Sequence, residues 1–170
     1  MFCKQINAGN GPNSKDKCPD SAEKPGQGRR ICGGPMPETL NLGDWCAQGL
    51  PHYSGNLTYV CKLAGGAGGE RVFLELGEWR GTAVGVRING GAEHFLAWPP
   101  YRAEIGGELR EDGDNEIAIT VYGHRRNAFG PFYLDETWPF WSGPLQFKQY
   151  MHSTRNLVPC GLLTPPRLVK

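Results

Sequence analysis

Three observations predict an all-β fold, an antiparallel β-sandwich or jelly roll. Gly (25) and Pro (14) make up nearly a quarter of the 170 residues with no repeat, which argues against a helical bundle and for short strands joined by turns. Several runs alternate apolar and polar residues with a period of two. Turn signals, Asn89-Gly90 above all, separate those runs at the spacing of a sandwich.

The elements follow in order. Residues 1 to 38 are rich in Asn, Gly, Ser, Lys, Asp and Pro, with Phe2, Ile6 and Ile31 as their large apolar anchors. Such a segment buries too little apolar surface to offset its ordering entropy, so 1–38 reads as a low-complexity linker or disordered tail and 39–170 as the domain. In that domain Leu57, Tyr59, Cys61 and Leu63 alternate with Thr58, Val60 and Lys62 to give a first strand. Val72, Leu74 and Leu76 give a second, and Val84, Val86 and Ile88 a third. Asn89-Gly90 follows at once, two residues that tolerate positive φ, and turns the chain into a return strand from Glu93 to Trp98 that Pro99-Pro100 ends. After room for one helical turn at Glu108–Arg110 comes the turn Asp112-Gly113-Asp114-Asn115. Ile117, Ile119 and Val121 then form a strand, and Leu145–Lys148 and Leu162–Val169 are later candidates.

The formal net charge is +1, from 18 basic and 17 acidic side chains, which gives little long-range field for nucleic acid. The longest uncharged stretch, Trp45 to Cys61, contains Gln48, Pro51, His52, Ser54 and Asn56 and is no membrane span. No apolar run follows Lys4, so the sequence as it stands lacks a secretory leader and is expected in the cytoplasm. Cysteines stand at positions 3, 18, 32, 46, 61 and 160 with no CxxC or CxxH pair, which supports neither a zinc site nor, in that compartment, disulfides. Reduced thiols are expected. The sequon Asn56-Leu57-Thr58 is idle in the same setting.

The segment from Leu42 to Tyr59, LGDWCAQGLPHYSGNLTY, resembles the opening of the galactose-binding-like β-sandwich of large glycoside hydrolases. Three further pieces agree in order. Val72–Gly77 with Thr82–Gly90 resembles the hairpin of that fold. Trp98-Pro-Pro-Tyr101, leading through Ile105 to the strand Leu109–Val121, resembles the segment after it. Gly123–Pro131 and Val158–Pro166 resemble the closing elements of C-terminal sandwiches in family-2 and rhamnosidase-like glycosidases. The resemblance spans roughly Asn41 to Val169. It implies a galactose-binding-domain-like jelly roll that serves either as a carbohydrate-binding accessory domain or as a structural, docking sandwich beside a glycoside hydrolase catalytic domain. In such enzymes the catalytic carboxylates sit on a separate large barrel, so the chain reads as a detached or C-terminal domain and not as an enzyme by itself.

The residues agree with a non-catalytic role. Glycoside hydrolysis needs two carboxylates across a cleft, and no pair among the acids here is marked out by its surroundings. No Gly-x-Ser-x-Gly is present, and the histidines form no HxH or HExxH. Aromatic rings are more informative, because sugars lay C–H faces on them while rim hydroxyls bond to Asp, Asn, Arg or His. Trp98 and Tyr101 lie in one predicted loop, His52 and Tyr53 in a second, and His124, Arg125 and Asn127 in a third. Loops at one end of a jelly roll converge, so these seven are the candidate ligand-binding residues. Trp45 and Trp79 are expected to cap the core, and Trp98 is open between the two roles. Trp138-Pro-Phe-Trp-Ser-Gly143 is a further aromatic cluster suited to a docking face. No cofactor is expected. Asp112 and Asp114 are weak candidates for a structural Ca²⁺, a role for which an ordinary Gly-containing turn is the simpler account.

Overall fold

The computed structural model describes residues 2–8, 37, 39–65, 71–129 and 157–170. Among them, ten strands run in chain order: β1 Phe2–Ala8, β2 Asn56–Leu63, β3 Phe73–Glu75, β4 Trp79–Arg80, β5 Ala83–Ile88, β6 Glu93–Leu96, β7 Arg102–Glu104, β8 Asn115–Tyr122, β9 Gly161–Leu162 and β10 Arg167–Val169. They form a five-stranded sheet in the order β1-β2-β8-β5-β6, a three-stranded sheet β10-β3-β7 and the pair β4-β9. Every pairing is antiparallel. The expected all-β sandwich is observed. Among the described residues no helix is long and apolar enough to cross a membrane.

The period-two pattern sorts each strand between core and surface. Leu57, Tyr59 and Cys61 of β2 stand level with Val121, Ile119 and Ile117 of β8, which stand level with Val84, Val86 and Ile88 of β5. All nine side chains are buried, and they share one core with Val72, Leu74, Ala103, Ile105 and Leu109 from the smaller sheet's side. The Asn89-Gly90 turn forms as expected, with φ of 51° and 73° at its two central residues and a bond from Gly91 N–H to Ile88 C=O of 2.8 Å. Asn89 also ties the hairpin inward. Its amide donates to Glu108 C=O at 3.0 Å and to Asn115 Oδ1 at 2.9 Å, and its own Oδ1 accepts from Glu116 N–H at 3.0 Å.

Several expectations are corrected. Phe2–Ala8, read as part of a disordered tail, is an edge strand paired with β2. Its alternation is broken by polar Lys4-Gln5, and the register shifts between Cys3 and Ile6, which hides the strand from a periodicity reading. Cys61 is disulfide-bonded, against the expectation of reduced thiols, and the residue opposite it on β1 is Cys3. Cys46 and Cys160 are free thiols. The Leu162–Val169 candidate is two short strands, β9 and β10, in different sheets. In the acidic turn Asn115, itself buried, accepts from Arg110 N–H at 2.7 Å and donates to Arg110 C=O at 3.1 Å. Asp112 and Asp114 are exposed there, and no cluster of three or more His, Cys, Asp or Glu suited to a metal occurs among the described residues. The Leu145–Lys148 strand and the Trp138–Gly143 cluster fall outside the described residues.

Candidate functional site

Register fixes where the loops meet. Leu57, Val121, Val84 and Leu96 are successive cross-strand neighbours. The segments that lead into β2 and β5 and out of β8 and β6 therefore share one end of the large sheet. All seven candidate residues lie in segments at that end: His52, Tyr53, His124 and Asn127 in an internal knot with Arg125 exposed beside it, Tyr101 in an open groove, and Trp98 on the surface.

The knot gathers residues 44–53, 124–127 and 157–160. Asp44 Oδ1 accepts from the N–H groups of Cys46 and Cys160, both at 3.0 Å. Asn127, 2% exposed, donates from Nδ2 to Val158 C=O at 2.7 Å and to Cys46 Sγ at 3.1 Å, and accepts from Val158 N–H at 2.9 Å. His52 Nδ1 donates to Asn127 C=O at 3.1 Å, and His124 Nε2 to Pro159 C=O at 3.4 Å. Tyr53 sets its ring edge-on to Trp45 at 5.9 Å and donates to Asn56 C=O at 3.0 Å. Asn127 is thus a loop staple and not a hydroxyl-binding side chain, because its polar atoms are engaged inside the protein. His52, Tyr53 and His124 hold the same knot together. Arg125 is exposed beside it.

Trp45 lies wholly inside, donating from its indole N–H to Tyr59 Oη at 2.6 Å, which also accepts from Leu162 N–H at 3.2 Å. This core-cap expectation holds. Burial raises the Tyr59 hydroxyl pKa, although the two donors oppose the shift. Burial, and next the adjacent Asp44 charge, push the Cys46 thiol up to about 12. Cys160 is shifted upward as well, again chiefly by burial. Neither is an activated nucleophile.

The groove is lined by Gly77, Glu78, Trp79, Arg80, Gly81 and Tyr101 and holds about 280 Å³. Its floor is hung on the β4–β9 pair, where Trp79 stands opposite Leu162. Glu78 fixes one wall: its N–H donates to Thr164 Oγ1 at 2.6 Å and its C=O accepts from Leu163 and Thr164. Trp79 and Tyr101 meet edge to face, centroids 5.1 Å apart and planes at 88°. Both rings pack against the core while bordering the groove. Arg80 and Glu78 pair at 3.2 Å with more than half of each side chain exposed. Such a pair is worth little to stability, so both groups are open to exchange partners with a ligand. Trp98, just past β6, is 80% exposed and therefore no core cap.

Of the predicted residues, the structure places Tyr101 in the groove and Trp98 on the open surface at the same end. Glu78, Trp79 and Arg80 were not singled out as binding residues. The signal was present: charged residues flank the aromatic on both sides and Gly77 and Gly81 bracket the run, which suits a ring that packs on the core with its rim at an open recess.

No protein-family model and no curated protein sequence matches the chain. Among solved structures the chain is similar to the rhamnosidase of Novosphingobium sp. PP1Y, with 26% identity and a TM-score of 0.55, over 78% of this chain and 13% of that one. It also matches a β-glucuronidase of Bifidobacterium dentium (19% identity, TM-score 0.47, over 80% of this chain and 26% of that one) and one of Faecalibacterium prausnitzii (16%, 0.45, 80% and 27%). The chain therefore spans a small part of the enzymes it matches, and its antiparallel sandwich resembles a domain of a glycoside hydrolase.

Proposed function

We propose that this chain is a non-catalytic carbohydrate-binding β-sandwich, an accessory domain of the kind that accompanies glycoside hydrolases. The observation that carries the reading is the groove bordered by the touching rings of Trp79 and Tyr101. It joins apolar ring surface to an exposed carboxylate and guanidinium in one recess. Ring faces suit the C–H side of a pyranose, and Glu78 and Arg80 supply an acceptor and donors for its hydroxyls. Hydrolysis needs two facing carboxylates, whereas among the described residues Glu78 is the one carboxylate lining this groove, and it is ion-paired. Likeness to 13% of a rhamnosidase supports an accessory part.

The test is a titration with methyl glycosides of rhamnose, galactose, glucose and glucuronic acid, followed by tryptophan fluorescence, since Trp79 borders the groove. A saturable change with one of them supports the proposal. Silence with all of them favours the second reading, a docking sandwich without its own ligand. The isolated exposure of Trp98 is the observation behind that reading, because so large a ring in water suits a protein interface.

A further inference from the structure

The face of the large sheet turned away from the core carries a second arrangement that neither the groove nor the knot uses. Residues alternate across each strand, so Phe95 and Glu93 of β6, Gly85 and Arg87 of β5, and Thr120 and Tyr122 of β8 share this outer face. Glu93 lies across β5. A Cβ on Gly85 would collide with the Glu93 carboxylate, so only glycine lets that side chain cross the strand. Once across, Glu93 Oε1 accepts from Tyr122 Oη at 2.9 Å, and Oε2 accepts from Arg87 Nη2 at 3.1 Å. Phe95 is 59% exposed, and its ring is tilted by 52° against that of Tyr122 at 5.3 Å.

We infer that this face is a second carbohydrate-binding site, where a pyranoside lies on the Phe95–Tyr122 rings and its hydroxyls bond to Glu93 and Arg87. The chemistry is complementary. An ionised carboxylate has about four lone-pair sites, and Glu93 receives one bond on each oxygen, which leaves capacity for two hydroxyl donors. Arg87, half-exposed, keeps further N–H groups for hydroxyl acceptors. The carboxylate is held in place by two partners, so little ordering entropy opposes binding. Exposed aromatic area beside fixed polar groups distinguishes this surface from a plain structural staple, which would need neither Phe95 nor an open face. The inference is independent of the groove: the two sites involve different residues and are read separately.

The experiment is amide chemical-shift mapping of the ¹⁵N-labelled full chain with the methyl glycosides of glucose, galactose, mannose and rhamnose, each to its solubility limit. The expected result is saturable shifts at Gly85, Phe95, Thr120 and Tyr122. Phe95→Ala should abolish them, and Glu93→Gln should weaken binding about tenfold, the loss of one charge-assisted hydrogen bond, while the rest of the spectrum is preserved. Glutamine still accepts from Tyr122, so this variant keeps the cross-strand link. Shifts confined to Gly77–Gly81 and Tyr101 would overturn this site and leave the groove standing. Shifts that follow protein concentration instead of sugar would mark contact between copies of the chain and overturn it too. Shifts with no glycoside, or unchanged affinity in Phe95→Ala, would have the same consequence.

Discussion

Replacing Trp98 by Ala separates a surface ring from a core ring in one measurement. The side chain is 80% exposed, so about one fifth of it is sheltered. A Trp that buries up to about 250 Å² would lose roughly 50 Å² of sheltered surface here. At about 25 cal/mol/Å² that amounts to about 1 kcal/mol, and for a chain of this length it lowers Tm by about 2–4 °C. A fully buried ring such as Trp45 would instead cost about 3–5 kcal/mol on truncation. Urea denaturation followed by far-UV circular dichroism, with the parent and Trp98→Ala fitted for both midpoint and slope, reads the difference directly. A loss of 3 kcal/mol or more, on the scale of a buried ring, would show that Trp98 caps the core and that its placement on the open surface is wrong.

Three other outcomes follow. Asn127→Ala strips Val158 of both its side-chain bonds and should cost about 2–4 kcal/mol, read as a lower denaturation midpoint with an intact groove. Cys46 keeps its proton up to about 12, whereas the unfolded chain releases it near the ordinary value of 9.0. The native state therefore binds more protons across that window, and Tm should fall as pH rises from about 9 towards 12, more in the parent than in Cys46→Ser. Cys61 is disulfide-bonded, so a reductant should lower Tm by the equivalent of about 2–4 kcal/mol; an unchanged melt would restore the reduced-thiol expectation.

Much of the fold is legible in the sequence because its β-strands are half-buried and alternate cleanly. β2, β5 and β8 each put an apolar side chain on every second position, and Asn89-Gly90 permits the positive φ that its turn adopts. β1 is not legible, since an edge strand with Lys4-Gln5 at its centre has no period to detect. The candidate site is half legible. Loop convergence follows from jelly-roll topology; Tyr101 borders the groove, and Trp98, which the sequence leaves open between core and surface, is exposed. Asn127, His52 and His124 look like ligand-binding groups in isolation, because sequence shows polar atoms but not their partners. Those partners, Val158 and Pro159, stand more than thirty residues further on for Asn127 and His124. The groove depends on the pairing of Trp79 with Leu162, a contact across most of the domain that no local pattern announces.

Calorimetric titration of the glycoside panel into the parent and into Arg80→Ala tests the central claim most directly. Arg80 is exposed and contributes one member of a surface ion pair, so its removal should leave the melt within about 0.5 kcal/mol of the parent. The account predicts saturable heat for at least one glycoside in the parent and about tenfold weaker binding in Arg80→Ala, the loss of one hydrogen bond from a charged donor. Equal affinity in the two proteins, or no heat with any glycoside, would contradict a carbohydrate site in the Trp79–Tyr101 groove.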